Sequence, residues 1–178
     1  MDASVPRGAA LLLAFVYSFE SGNDYTVVYG HHQSTLAKPI TAMTLDELAA
    51  SQKVLAKRYG SSAAGAPQFM PPTIADLRVS MKLTGKEVFS PSLQDRMGYA
   101  LLQRRGYAKF KAGQISVETF AKNLAMEWAS LPVLVTTQGQ HRKVAAGETY
   151  YAGDKLNRAL VAPDKVRTIL AKVLAAAS

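Results

Sequence analysis

Near the start of the chain apolar and polar positions do not alternate, and apolar residues simply accumulate. Ala9 to Phe19, AALLLAFVYSF, is apolar nearly all round and stops at one acid, Glu20, followed by Ser21 and Gly22. A run with no polar face predicts a central helix rather than a surface one, and Gly22, Asn23 and Asp24 end it. Tyr25–Tyr29, YTVVY, is β-branched and aromatic, and the polar stretch after it, with Gly, His and Pro, extends to Met43. That pattern predicts a short irregular β-lobe rather than a large sheet.

The rest of the chain reads mainly as helices with recognisable ends. Thr44-Leu-Asp-Glu47 is a capping box, so a helix should run from Leu45 to Tyr59 and stop at Gly60. Ser61–Pro72, SSAAGAPQFMPP, is a loop of small residues, and Pro72 suits the first turn of a helix reaching Leu83, ended by Thr84-Gly85. Ser90-Pro91 opens a helix to Arg105, stopped by Gly106, and Ser116 caps another over Val117–Ala129. On that helix Phe120, Leu124 and Trp128 share one face, so Trp128 reads first as core. Pro132–Leu156 shows no clear period. Pro163-Asp164 opens a last helix through Leu174, with Val166, Ile169, Leu170 and Val173 as a stripe and cations at 165, 167 and 172. Such a stripe can lie on a membrane, but packing on the core is the expectation here. Without repeats or linkers, the 178 residues read as one domain.

Composition narrows the class. With 48% hydrophobic residues the chain can bury a core, and disordered and collagen-like classes are excluded. The lack of cysteine removes disulfide frameworks, thiolate metal sites and cysteine nucleophiles. A net charge of +8 favours polyanions, whether nucleic acid, anionic lipid or an acidic wall polymer. Arg7 ahead of Ala9–Phe19 invites a signal-peptide reading. Asp2 weakens the basic region and no small-x-small cleavage site follows, so no signal peptide is expected. No segment reaches the ~18 apolar residues a bilayer-spanning helix needs, so no stable membrane insertion is expected.

Candidate chemistry begins at Glu20. A carboxyl at the end of a buried run has its charged form disfavoured, which suits a general acid, although a helix-end glutamate with its head in water is the plainer reading. The loop Gly65-Ala-Pro-Gln68, continued by Phe69, adds to it. Glycine lets backbone approach a ligand, and a glutamine amide can donate to and accept from sugar hydroxyl or N-acetyl groups.

Glu20-Ser21 with Gly65-x-x-Gln68-Phe69-Met70-Pro71 and Thr73 resembles the two leading motifs of lytic transglycosylases and goose-type lysozymes. Phe89-Ser-Pro-Ser-Leu-Gln94-Asp95, Arg105-Gly106 and Trp128-Ala-Ser-Leu-Pro132 resemble, in the same order, the lysozymes of the bacteriophage lambda type. The likeness covers about Leu11 to Pro132. It implies an α+β fold, a mostly helical lysozyme-like domain with a small β-lobe and a cleft between lobes. It also implies cleavage of the β-1,4 bond between N-acetylmuramic acid and N-acetylglucosamine in peptidoglycan glycan strands. Glu20 matches the catalytic acid, Ser21 its polar neighbour and Gln68 the glutamine facing the cleft, with Tyr29, Phe69 and Trp128 as further candidate substrate contacts. Ala66-Pro67 departs from the family's pair before the glutamine, and the Ala-Tyr-Asn motif of the cellular enzymes is missing, which favours the phage branch. Action by a monomer is expected, without metal or other cofactor. The enzyme would be made in the host cytoplasm and reach the wall through a pore made by another protein, or as part of a virion.

The number of carboxylates separates two mechanisms. A hydrolase usually needs a second carboxylate about 5–9.5 Å from the acid. Between Ser21 and Leu45 only Asp24 qualifies, and beside glycine it reads as a turn residue. A transglycosylase needs none, because the muramic acid's own 6-hydroxyl attacks the anomeric carbon. The alternatives are a hydrolytic muramidase using Asp24, and a wall- or nucleic-acid-binding module without activity. Nucleic acid has only the charge in its favour, and none is expected as a partner. His31-His32 reads as a loop pair rather than a metal site, Tyr150-Tyr151 as packed aromatics at a turn, and Arg104-Arg105 as part of a solvated basic face.

Overall fold

A computed structural model of the chain describes residues 1–154 and 156–176, folded into two compact units. The first comprises residues 1–5 and 20–100, the second residues 6–19 and 101–178. Helix α1 (Arg7–Glu20) belongs to the second unit except for its last residue, and α4 (Pro91–Arg104) divides after Ala100. The fold is mostly helical with a small β component, the α+β class expected.

In the first unit α2 (Leu45–Tyr59) forms where its capping box predicts. The Thr44 hydroxyl accepts from the Glu47 N–H at 3.2 Å, the Glu47 carboxylate accepts from the Thr44 N–H at 2.8 Å, and Gly60 closes the helix at φ 80°. Helix α3 (Pro71–Ser80) places two prolines in its first turn, where their missing N–H groups cost nothing. It stops short of Leu83 because Lys82 adopts φ 55°. The segment expected as a β-lobe is built instead of 3₁₀ turns, Tyr29–Thr35 and Ile40–Ala42, with isolated bridges Val28–Ala64, Ala64–Phe69 and Thr44–Val88. Leu45, Leu48, Phe69, Phe89, Leu93 and Met97 are buried in this unit, each side chain contributing about 1.5–3 kcal/mol.

In the second unit α1 buries Ala9, Leu12, Leu13, Val16 and Tyr17. Gly8 lets it approach the last helix, α7 (Pro163–Ala175), since a Cβ there would lie 2.7 Å from the Tyr107 hydroxyl and 3.1 Å from the Val173 carbonyl. The Lys111 ammonium donates to the Val173, Leu174 and Ala176 carbonyls, answering acceptors that the end of α7 leaves without helical partners. Helix α5 (Tyr107–Lys111) is a single turn and one the apolar pattern did not predict. Helix α6 (Val117–Ala125) starts at its Ser116 cap but ends four residues before Ala129. Trp128 therefore stands beyond the helix, yet it is buried as expected of a core residue. The periodless stretch holds a two-stranded hairpin, β1 (Thr137–Gln138) with β2 (Lys143–Val144). Arg104 and Arg105 are not a free basic face: both guanidinium groups donate to Glu127, whose side chain is 6% exposed. No helix among the described residues is long and apolar enough to cross a membrane.

Candidate active site

Glu20 is the last residue of α1 and is half-buried. The chain turns at once: Gly22 and Asn23 both take φ 65°, and the Asp24 N–H donates to the Ser21 carbonyl at 3.3 Å. Two consecutive left-handed residues end the helix, so Asp24 does not lie one helical turn beyond Glu20. Its Oδ1 accepts from the Thr26 N–H and from the Thr26 hydroxyl, both at 2.7 Å, which makes it the pivot of a turn.

The Gly65–Gln68 loop is a tight hairpin turn. Ala64 and Phe69 exchange backbone hydrogen bonds of 3.1 and 2.9 Å, and the Gln68 N–H donates to the Gly65 carbonyl at 3.0 Å. Gly65 is required twice over, by its φ of 76° and because a Cβ there would collide with Gln94 Oε1. Gln68 itself sits at φ 53°, a left-handed conformation uncommon for glutamine. Its amide Nε2 donates to the Gly65 carbonyl at 2.8 Å, so part of the donor capacity expected for a ligand is spent on the loop. Gln68 stays partly exposed. Tyr29 is 46% exposed, and its N–H donates to the Ala63 carbonyl, which sets it beside the start of the same loop. Phe69 and Trp128 are 1% and 3% exposed, so each supports its unit's core rather than offering a ring face to a sugar.

Two buried glutamines hold the loop in place, and sequence reasoning assigned neither that role. Gln52 on α2 donates from Nε2 to the Ser62 carbonyl at 2.8 Å and to the Phe69 carbonyl at 3.0 Å, clasping both flanks. Gln94 on α4 takes the centre. Its Oε1 accepts from the Ala66 N–H at 2.9 Å, and its Nε2 donates to the Tyr25 and Phe89 carbonyls at 3.0 and 3.1 Å. Asp95 beside it, 1% exposed, accepts from the Tyr25 hydroxyl at 2.8 Å and from the Asp2 N–H at 2.7 Å. Burial, with the Asp95 carboxylate beside it, pushes the Tyr25 phenol well above its ordinary range and keeps it a donor. Tyr25 is thus fixed through both its carbonyl and its hydroxyl. Five residues before it stands Glu20, so α4 joins the turn after Glu20 to the Gly65–Gln68 loop. A signal for Gln52 did exist: it falls at helical spacing between the buried Leu48 and Leu55.

Other carboxylates of this unit are committed to structure. Hydrogen bonds from the Ser4 and Ser92 hydroxyls and the Ser4 N–H hold Asp2 down at about 2. The Thr84 backbone, with help from Gly85 and the Thr84 hydroxyl, does the same to Glu87, also at about 2. The Lys38 ammonium and the Thr44 N–H lower Glu47, and Asp46 pairs with Arg78 at 2.9 Å. Asp2, Glu47 and Glu87, held ionised in this way, are poor proton donors near neutral pH. His32 stacks on Tyr59 with ring centres 3.5 Å apart, an aromatic role rather than a ligand's.

A family model described as Endolysin matches residues 20–153. No curated protein and no solved structure matches the chain.

Proposed function

Since the chain belongs to the Endolysin family, and is thereby a phage enzyme that degrades the peptidoglycan cell wall, we propose that it does so as a lytic transglycosylase with Glu20 as its single catalytic acid. In this reading the Glu20 carboxyl gives its proton to the oxygen leaving the anomeric carbon of N-acetylmuramic acid. The same carboxylate then takes the proton of that sugar's 6-hydroxyl as its oxygen bonds to the anomeric carbon. No water is consumed, and the products are a 1,6-anhydro-muramoyl end and a free 4-hydroxyl on N-acetylglucosamine. Proximity of the internal hydroxyl stands in for an activated water. Gln68, Ser21 and Tyr29 are assigned to holding the glycan strand.

The observation that carries this choice is the state of Asp24. Asp24 follows a left-handed turn and both Thr26 donors converge on one of its oxygens, which supports a structural role and leaves a hydrolase without its expected second carboxylate. Mass spectrometry of muropeptides released from purified sacculi tests the proposal. Wild-type protein should release fragments one water lighter than reducing ends. Glu20→Gln should lower the rate by about a hundredfold or more while leaving the fold intact. Reducing ends from the wild type, lost in Asp24→Asn, would replace the transglycosylase with a hydrolytic muramidase.

A further inference from the structure

The net charge of +8 is not shared between the two units. The first holds eight lysines and arginines against eight aspartates and glutamates, a net charge of zero. The second holds thirteen against five, and 13 − 5 gives the whole +8. Several of those thirteen are committed internally: Arg104 and Arg105 to Glu127, Arg142 to Glu148, Arg167 to Glu118, and Lys111 to the end of α7. Lys165 and Lys172 are not. Neither forms an ion pair with any described residue, and both are exposed on α7 one above the other at a spacing of seven.

These two lysines border a groove of about 270 Å³ between α1 and α7, lined by Phe15, Asp164, Lys165, Thr168, Ile169 and Lys172. Phe15 leans edge-on against Phe19 at 5.2 Å, and Leu11, one turn before Phe15, is 38% exposed. One turn earlier again stands the exposed Arg7. Asp164 is the single carboxylate in the lining, at the helix N-terminus where it complements the dipole of α7. The face thus combines an apolar centre with uncommitted cations, on the half of the molecule that carries all of its net charge.

We propose that this α1–α7 face docks the second unit onto an anionic phospholipid bilayer surface. A fully hydrophilic polyanion would engage the lysines and gain nothing from Phe15, Leu11 and Ile169, whereas an anionic lipid surface satisfies both parts. Apolar side chains enter the headgroup–acyl boundary while the ammonium groups meet phosphates. The net charge of the unit supplies long-range attraction, and the groove supplies the orientation. Contact is peripheral, since no described helix is long enough to span the bilayer. The proposal does not depend on which glycosidic mechanism the enzyme uses.

Co-sedimentation of the full chain with vesicles tests it. Phosphatidylglycerol-containing vesicles should bind the wild type at low salt, and pure phosphatidylcholine vesicles should not. Lys165→Glu/Lys172→Glu should weaken binding by roughly thirtyfold or more, from the loss of two surface cations. The double variant Lys109→Glu/Lys143→Glu, which makes the same change in net charge from other elements of the unit, should bind nearly as wild type does. In a separate variant, Ile169→Trp should show a blue-shifted emission component on anionic vesicles. Equal weakening by both double variants would reduce the effect to bulk charge and overturn the proposal. So would absence of vesicle binding, retention on anionic wall polymer alone, or an emission spectrum that does not shift when folded Ile169→Trp protein meets anionic vesicles. Cleavage of purified sacculi should be unchanged in Lys165→Glu/Lys172→Glu, so failure of the docking and failure of the catalytic reading are told apart.

Discussion

The two units spend their polar groups in opposite ways. In the first, polar side chains go inside: Gln52, Gln94 and Asp95 are at most 1% exposed, and each one hydrogen-bonds to irregular chain. In the second, helices pack through apolar faces, Lys111 and the Glu127 clamp secure helix ends and turns, and cations collect on the surface. The difference follows from the backbone each unit must hold. A helix satisfies its own N–H and C=O groups, but the stretch around Tyr25–Thr35 and Ser61–Phe69 makes only isolated bridges and short 3₁₀ turns, so its backbone groups need side-chain partners. Side-chain amides, with a donor and an acceptor on one rigid plane, can join three chain segments at once. The segments so joined are the ones that carry Gln68 and follow Glu20.

The strongest way to break that contrast is Gln94→Leu. The replacement is close in volume but leaves the Ala66 N–H and the Tyr25 and Phe89 carbonyls without their buried partner. At about 1–3 kcal/mol for each unsatisfied group, offset by the gain in apolar burial, the expected net cost is about 3–4 kcal/mol. Urea unfolding should report that loss, and sacculus cleavage, measured without denaturant at a temperature where the variant is folded, should fall at least about tenfold. A folded Gln94→Leu protein with wild-type cleavage would show that the tie serves stability alone.

A corresponding cut in the second unit should cost less and leave activity alone. Glu127→Gln keeps the shape of the side chain but removes the charge that gathers Arg104 Nη2 at 2.9 Å and Arg105 Nε at 2.7 Å. The arginines are partly exposed and can return to water, so the expected loss is about 1–2 kcal/mol, read from the shift in the unfolding midpoint. Turnover on sacculi should stay within about twofold of wild type. A larger fall in turnover than in stability would mean that the Glu127–Trp128 turn reaches the chemistry, and the division of labour between the units would fail.

How much of this was legible in the sequence depended on whether a feature is local. The capping box of Thr44 and Glu47, the Gly60 stop and the Ser116 cap are each written in a few adjacent residues, and the helices start as those residues predict. Ends set by a residue in an unusual conformation were not legible: α3 stops because Lys82, not a glycine, turns left-handed. The Tyr107–Lys111 turn and the two-residue strands at Thr137 and Lys143 are too short to show any period. Within the candidate site, Glu20 and Gly65–Gln68 stood out because an acid after an apolar run and a glycine-rich loop are local signals. Gln94 and Asp95 were visible only as part of a family-like motif. Apart from the Phe89 carbonyl that Gln94 also holds, their hydrogen-bond partners lie 28 to 93 positions away, which no local pattern encodes.

The smallest expected effect concerns two partly exposed carboxylates, one from each unit. Glu87 is held down at about 2 mainly by backbone N–H donors, and Glu148, also at about 2, mainly by the Arg142 guanidinium with the Ala145 N–H. Both are depressed below the usual 4.5, so each contributes stability above that value and loses it as the pH falls toward 2. Their response to salt should differ. A backbone N–H carries no net charge to screen, whereas part of the pull on Glu148 is Coulombic and weakens as the Debye length shrinks from about 10 Å at 0.1 M to about 3 Å at 1 M. Titrated by side-chain carboxyl NMR between pH 5 and 2, Glu148 should move up by a few tenths of a unit on raising the salt, and Glu87 should barely move. Equal movement would mean that Arg142 adds nothing beyond its hydrogen bond. The basic unit would then hold its carboxylates by the same neutral donors as the other unit, and the contrast between the two would rest on the buried amides alone.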